Sequence, residues 1–236
     1  GNYPAPWSNS PTISETQRDF ILFLLLTGKR RVESANITWE DLDWDKDLPT
    51  ITLQPEITKA GTEDIIPMTP VVAAMLDFRK KRPGRHSKWV FENKYGSGPI
   101  VDCRKSLKKI CHYKGDHFEA ALQETINHHD LRRTYATMAE ETGMSRKEVA
   151  IFLSHSAGDV TAGYITRSLQ QVRGKREKIE EEILQETRWY ILVNWYECNE
   201  DLMEYWDQGP QDEKRKAGYL QKLKLPRHEQ DEYRFE

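Results

Sequence analysis

The stretch SETQRDFILFLLLTGKRRVE, residues 14–33, decides the fold, because it holds the longest apolar run of the chain and signals for both ends of a helix. Ser14 followed by Gln17 matches a capping box, in which each residue satisfies a backbone N–H of the other. The apolar residues 20–26 predict a buried helix, and Gly28 after Thr27 predicts its end. A second helical segment is expected around residues 30–36.

A β-hairpin is predicted next along the chain. Residues 50–53 and 64–67 are rich in β-branched side chains, and Gly61 between them can supply a turn. Lys59 would then lie near the tip of the hairpin.

Helical spacing prevails after the hairpin. Val71, Met75 and Phe78 would share one helix face. Gly143 predicts the end of a later helix, and Ser145 is a suitable cap for the next one. The predicted fold class is therefore mainly α with a small antiparallel β-sheet.

Composition limits the classes to which the protein can belong. Its 236 residues are 37% hydrophobic and 31% charged, which is enough apolar material for one large domain or a medium domain with an appendage. No apolar run approaches the roughly 18–20 residues of a membrane helix, and no signal-peptide pattern opens the chain, so a cytoplasmic location is expected. The three cysteines form no CxxC pair, which predicts reduced thiols rather than disulfides or a cysteine zinc site.

Charge is segregated along the chain although the net charge is only -3. Residues 33–64 hold nine acids against two bases, whereas residues 79–114 hold twelve Lys and Arg against two acids. Such a basic tract suits a polyphosphate partner, although a solvated helix face would give the same pattern. The candidate phosphate-contacting residues are Arg79, Lys80, Lys81, Arg82, Arg104, Lys105, Lys108 and Lys109.

Four motifs place cations or proton-transfer groups at expected helix ends and at the hairpin tip. They are TGKRRVE at 27–33, TKAG at 58–61, HDLRRT at 129–134, and LSH at 153–155 with Tyr164 nine residues later. In this order and spacing, residues 12–166 resemble the catalytic domain of the tyrosine recombinases, the phage-integrase-like enzymes. Lys29, Arg133 and Ser154 depart from residues that are frequent in that family, and none of these departures removes a proposed catalytic group.

The residue types suit DNA strand transfer. Nucleophilic displacement at phosphorus spreads negative charge over the phosphoryl oxygens, and cations in fixed positions are needed to stabilise that charge in the transition state. Arginine donates two parallel charge-assisted hydrogen bonds and keeps its proton at working pH. Arg30 and Arg132 would form this clamp, and Glu33, one helical turn after Arg30, would orient it.

The resemblance implies the remaining roles. Tyr164 is expected to be the nucleophile that forms a 3'-phosphotyrosine and leaves a free 5'-hydroxyl. Lys59 would be the general acid to the leaving oxygen, His129 would assist proton transfer, and His155 would hydrogen-bond the phosphate. The scheme requires no metal, cofactor or ATP.

Each assignment has a plainer alternative when taken alone. Arg30 with Arg31 could be a surface pair, and Arg31 is expected to be exposed in any case. His129 could be a structural helix-cap residue, Lys59 could decorate a hairpin tip, and Tyr164 could be a core aromatic. The ordered set favours the catalytic interpretation, because all of these coincidences would be needed at once.

Domain organisation is predicted from changes in composition. The segments are an interdomain linker at 1–11, the catalytic domain at 12–166, an amphipathic helical extension at 167–208 and a charged tail at 209–236. Leu184, Ile191 and Trp195 lie on the apolar side of the extension, which would dock either on its own domain or on a neighbouring subunit. A core-binding domain of the kind that integrases place before the catalytic domain is not among these residues, so weak and salt-dependent DNA affinity is expected.

The predicted function is that of a site-specific DNA recombinase, an integrase of a phage or integrative element. Expected partners are double-stranded DNA, further copies of the chain in a tetrameric synapse, and accessory DNA-bending or directionality factors; a membrane is not expected. The protein would act in the bacterial cytoplasm on the nucleoid. Two alternatives stay open, a type IB-like DNA topoisomerase and a non-catalytic DNA-binding module of the same fold.

Overall fold

A computed structural model describes residues 13–45, 47–81, 87–111, 126–153 and 169–186, with side chains as far as residue 184. Within these ranges the helices are α1 Glu15–Thr27, α2 Arg31–Ala35, α3 Pro70–Lys81, α4 Arg104–Cys111, α5 His128–Glu141, α6 Arg146–Phe152 and α7 Leu169–Glu186, and the strands are β1 Leu42–Asp43, β2 Thr50–Leu53 and β3 Asp64–Pro67. The strands form one antiparallel sheet in the order β1-β2-β3. The predicted fold class, mainly α with a small antiparallel sheet, is confirmed.

Helix α1 forms the centre of the core. The Gln17 N–H donates to Ser14 Oγ at 3.3 Å, and the Ser14 N–H donates to Gln17 Oε1 at 3.4 Å, which completes the predicted capping box. Phe20 and Phe23 are fully buried and pack against the Phe91 ring in a tilted geometry, with centroid distances of 5.1 and 5.2 Å. The sequence prediction for this helix is confirmed at both ends.

The close approach of α1 to α5 requires a glycine at position 28. Gly28 ends α1 in the left-handed conformation, with φ 65°, and its N–H donates to the Leu24 carbonyl. A Cβ atom there would lie 2.7 Å from Cγ of Tyr135 and 2.9 Å from Cδ2 of Leu153. Because Tyr135 lies one turn after Arg132 on α5, this contact also brings Arg132 to the end of α1.

The predicted hairpin is confirmed, although its turn is long. Strand β2 pairs with β3 in the register Ile51 opposite Ile66, and both side chains are buried. Residues 54–63 connect the two strands, and Gly61 adopts φ 65° within this connection. Strand β1 was not predicted, because two residues are too few to show a period-2 pattern.

Cys103 and Cys111 are buried free thiols, as predicted, and burial raises the pKa of Cys103 to about 11. No helix in the described ranges is long and apolar enough to cross a membrane. The described elements up to Ile183 form one compact unit and Leu184 begins another, so most of α7 shares a unit with the earlier helices. The predicted domain boundaries stay predictions.

Arg79 belongs to the core and not to the surface. Its side chain is fully buried, with Nη1 2.5 Å from Oδ2 of Asp19 and Nη2 3.0 Å from the Val90 carbonyl oxygen. The guanidinium carbon also lies 5.1 Å from the ring centroid of Phe91. The prediction that Arg79 contacts DNA is therefore wrong, because the charge neutralises a buried carboxylate.

Replacing Arg79 with methionine is expected to lower the free energy of unfolding by about 3–5 kcal/mol, since removing one partner of a buried ion pair leaves the other charge poorly compensated. Urea unfolding measures this change. Lys81→Met is the matched control, because it breaks a pair with Asp77 whose lysine is 67% exposed, and its cost should stay below about 1 kcal/mol. Equal costs for the two variants would contradict the structural role of Arg79.

Candidate active site

Arg30 and Glu33 form the first part of the site. Arg30 is the N-terminal cap residue of α2, and its Nη1 donates to Glu33 Oε1 at 2.9 Å. The Arg30 N–H also faces Glu33 Oε2 at 3.3 Å. The Glu33 side chain is 2% exposed whereas that of Arg30 is 26% exposed. The buried carboxylate thus holds a guanidinium that still reaches the surface.

Glu33 also fixes the connection between β2 and β3. Its Oε1 accepts the backbone N–H of Lys59 at 3.1 Å. The Lys59 side chain itself is exposed. One carboxylate therefore contacts both the Arg30 guanidinium and the backbone of the Lys59 segment, and the supporting role of Glu33 in catalysis stays a prediction.

Arg132 reaches the same region from α5. It is 6% exposed, and its Nη1 donates to the Gly28 carbonyl at 2.6 Å while Nη2 donates to the Leu153 carbonyl. Burial, and next the repulsion of the Arg30 guanidinium, lower the pKa of Arg132 to about 10, so it remains charged at neutral pH. Because the Arg30 and Arg132 guanidinium groups repel each other, an anion bound beside both of them would be stabilised by relieving that repulsion.

His129 lies near the beginning of α5, on the same face as Arg132 three residues later. Its N–H donates to Oδ1 of Asn127, the helix cap residue, at 2.8 Å, and its side chain is exposed. The neighbouring His128 is half-buried, and its Nδ1 has no hydrogen-bond partner among the described residues. Burial, and then the charge of Arg31, lower the pKa of His128.

The exposure of Arg31 is lower than predicted. It is half-buried, and its Nη1 donates to the carbonyl of Val101, three residues before α4 begins. This bond ties the beginning of α2 to the segment that leads into α4. The exposed basic residues of α4 are thereby linked to the Arg30 site.

Helix α4 presents one charged face and one buried face. The exposed residues are the basic Arg104, Lys105, Lys108 and Lys109 together with Ile110, whereas Ser106, Leu107 and Cys111 are buried. This alternation of exposed and buried residues at intervals of three and four is typical of an amphipathic helix on a protein surface. Arg104 pairs with Asp102 at 2.6 Å.

The other predicted basic residues have different settings. Lys80 is exposed, with Nζ 5.2 Å from the ring centroid of Trp44, and Lys81 pairs with Asp77 at 2.9 Å. Arg82, His155 and Tyr164 lie outside the described residues.

Two buried cations, Lys29 and Arg176, pack against the segments that form the site, and their burial was not predicted from the sequence. Lys29 is 1% exposed and pairs with Asp64 at 2.5 Å. Arg176 of α7 is 4% exposed, and it donates to the Phe152 carbonyl at 3.3 Å and to the Tyr135 hydroxyl at 3.2 Å. The position of Lys29, between Gly28 at the end of α1 and the beginning of α2, was an available sequence signal for its burial. Arg176 lies in an ordinary charged stretch, where no sequence signal indicates burial.

Within the described ranges, no group of three or more His, Cys, Asp and Glu side chains is arranged to hold a metal ion.

Comparison with known proteins identifies the family. Residues 7–171 match the Phage integrase family. The chain is similar to prophage integrase IntF of Escherichia coli K12, with 31% identity over 174 residues that cover 71% of this chain and 34% of that protein. It is also similar to the integrase of Salmonella phage P22, with 29% identity over 136 residues that cover 55% of this chain and 34% of that protein.

A solved structure supports the fold assignment. The integrase of the transposon Tn1549, solved in complex with a circular intermediate DNA, aligns with a TM-score of 0.50 and 22% identity over 70% of this chain and 59% of that chain. The chain spans about a third of the length of the two curated relatives. Since the family match extends over most of the sequence, and includes the motifs that carry Arg30, Lys59, His129 and Arg132, the chain belongs to the phage integrase family.

Proposed function

We propose that this chain is the strand-cleaving and rejoining part of a site-specific DNA recombinase. One observation carries the proposal: the Arg132 guanidinium donates to the carbonyl of Gly28, two residues before Arg30, although Arg30 and Arg132 are 102 residues apart in the sequence. Glu33 and the Gly28 carbonyl hold the two guanidinium groups. Such a pair of oriented cations is suited to a phosphodiester, whose charge grows during displacement.

The proposed reaction balances without an external energy source. Tyr164 Oη attacks the scissile phosphorus, a bond from oxygen to phosphorus forms, and the bond from phosphorus to the 5'-oxygen breaks. Lys59 gives a proton to that leaving oxygen, and the phenolic proton passes to a base, a role in which His129 assists. The phosphotyrosyl ester keeps the free energy of the diester, so a 5'-hydroxyl can reverse the reaction without ATP. His155 would hydrogen-bond the phosphate.

The charged face of α4 is the proposed surface for the DNA backbone. Contacts from lysine and arginine to phosphate position a duplex without reading its sequence. We further propose that copies of the chain assemble on DNA into a tetrameric synapse, with accessory DNA-bending or directionality factors, in the bacterial cytoplasm on the nucleoid.

Removing two charges from that face should weaken DNA binding and reduce its salt dependence. For Lys105→Gln combined with Lys108→Gln, the slope of log K against log salt should fall by about 2, because each lost phosphate contact removes roughly one counterion release. Fluorescence anisotropy at several salt concentrations measures the slope. Lys178→Gln, an exposed lysine on α7, is the control and should leave the slope unchanged. An unaltered slope in the double variant would remove α4 from the DNA interface.

Covalent trapping tests the proposed function. Nicked duplexes that tile the DNA flanking the gene would release the short leaving strand after cleavage, so an adduct of protein and DNA should accumulate on a denaturing gel. Rejoining to a partner strand should then require a second copy of the site. Relaxation of a supercoiled plasmid without such a site would favour a topoisomerase, and binding without any adduct would favour a non-catalytic module.

A further inference from the structure

Lys29 is a buried ammonium group at the junction of several parts of the proposed site. Its side chain is 1% exposed. The Nζ atom lies 2.5 Å from Oδ2 of Asp64 and 3.0 Å from the carbonyl oxygen of Phe152. A lysine this deeply buried needs partners for its charge, and these two oxygens supply them.

The partners of Lys29 belong to segments that carry the proposed catalytic residues. Asp64 begins β3, directly after the connection that holds Lys59. Phe152 ends α6 and precedes Leu153, whose carbonyl accepts a hydrogen bond from Arg132. Lys29 itself is bonded covalently to Arg30. One ammonium group therefore fixes the Arg30 segment, the end of the Lys59 connection and the end of α6 against one another.

We propose that Lys29 is a positioning residue for DNA cleavage, whose ion pair with Asp64 and bond to the Phe152 carbonyl keep Arg30 aligned with Arg132. The inference rests on the proposed recombinase function and deepens it. An apolar residue at position 29 would withdraw a cation from the Asp64 carboxylate and a donor from the Phe152 carbonyl. The surrounding segments would then lose a common point of attachment.

The charge of Lys29 is sensitive to mildly alkaline pH. Burial is the largest cause that lowers its pKa, from 10.5 to about 8, while Asp64 of β3 raises it, Arg176 of α7 lowers it and Glu33 of α2 raises it. Between about pH 8 and 10.5 the unfolded chain therefore binds more protons at this lysine than the folded chain does. The contribution of Lys29 to stability thus rises with pH in this window, while its ion pair with Asp64 weakens.

As the pH rises, the contribution of Lys29 to stability grows while its ion pair with Asp64 weakens. A positioning role and a purely structural role of Lys29 therefore predict opposite changes in the cleavage rate. If Lys29 only stabilised the fold, cleavage would follow stability as the pH rises. If it positions Arg30 through its charge, cleavage should fall over the same interval in which its contribution to stability grows. Differences between wild type and Lys29→Met isolate this lysine from the other groups that titrate.

Two measurements need no DNA. The Arg30 Nε–Hε signal in NMR spectra of the whole chain, assigned by its loss in Arg30→Lys, should shift with a midpoint near pH 8 in wild type and stay constant in Lys29→Met. In urea unfolding, the stability of wild type relative to Lys29→Met should increase from pH 7 to pH 9. Lys175→Met is the matched control, since it breaks an equally short pair with Glu148 whose lysine is 33% exposed, and it should behave as wild type in both experiments. A pH-independent Arg30 signal in wild type would overturn the coupling.

The third measurement is the single-turnover rate of covalent adduct formation. At pH 7 we expect Lys29→Met to be at least tenfold slower than wild type with DNA affinity changed less than twofold, and we expect this gap to shrink at least threefold by pH 9. Lys175→Met should stay within twofold of wild type throughout. Equal rates for Lys29→Met and wild type at pH 7, or parallel pH profiles, would contradict a positioning role.

A second variant protects the test against a folding defect in Lys29→Met. Asp64→Asn keeps the lysine but removes its counter-charge, so both the cleavage loss and the Arg30 midpoint should move to lower pH. An unchanged midpoint in Asp64→Asn would overturn the proposal. Absence of any adduct with wild-type protein would contradict the recombinase function instead, and the Arg30 signal would still decide whether Lys29 controls the arginine.

Discussion

Tyr164→Phe should abolish the covalent adduct and lower strand cleavage by at least about 10⁴-fold, because no other oxygen would be placed to accept the phosphoryl group. DNA affinity should change less than twofold, since the variant loses one hydroxyl and keeps the ring. Denaturing gels with the nicked duplex measure the adduct. Mass spectrometry of a protease digest should locate the attached nucleotide on the peptide that contains Tyr164.

Tyr95→Phe provides the matched control for this experiment. Tyr95 is 76% exposed and lies against Lys94, with Nζ 4.5 Å from its ring centroid. Removal of its hydroxyl should leave both adduct formation and DNA binding at wild-type levels. An adduct that persists in Tyr164→Phe would show that another residue is the nucleophile.

Arg132→Ala is expected to reduce cleavage by about 10²–10³-fold, the usual effect of removing one oriented donor to a developing negative charge. It should also lower the free energy of unfolding by about 1–3 kcal/mol, because the buried carbonyls of Gly28 and Leu153 lose a charged donor. Arg132→Lys keeps the charge but not the planar fork, so its rate should lie between those of wild type and Arg132→Ala. Single-turnover cleavage and urea unfolding measure the two effects separately.

Arg133→Ala is the control for Arg132→Ala. The Arg133 side chain is 76% exposed and lies 3.8 Å from Asp130. Its loss should change stability by less than about 0.5 kcal/mol. A cleavage defect of similar size in Arg133→Ala and Arg132→Ala would mean that the rate responds to net charge and not to the oriented guanidinium.

Local patterns in the sequence were sufficient to predict the framework of the site. The capping box at Ser14 and the glycine at position 28 act within a single helix, so neighbouring residues carry the whole signal. The β2 and β3 pairing was predictable for a similar reason, since one connection joins the two strands. The resemblance of the motifs to a known family added the pairing of Arg30 with Arg132, which local patterns do not contain.

Buried charges could not be predicted in the same way. A run of basic residues predicts a charged surface on average, and Arg79 is an exception because Asp19, distant in sequence, neutralises it in the core. Its spacing of eight residues from Val71 and four from Met75, both buried on α3, was the available signal. The pair of Lys29 with Asp64 joins residues from separate elements, and no periodic pattern reports such a contact.

The most direct test of the convergence of Arg30 and Arg132 on one phosphate uses a methylphosphonate at the scissile position, which removes the negative charge from that phosphate alone. The loss of about 10²–10³-fold expected for Arg132→Ala on normal DNA should shrink to less than about tenfold on this substrate, because a variant and a substrate change that remove the same interaction are not additive. Lys108→Gln, which alters a proposed backbone contact on α4, should show the same defect on both substrates. An undiminished defect of Arg132→Ala on the neutral substrate would contradict a direct interaction between this arginine and the phosphate.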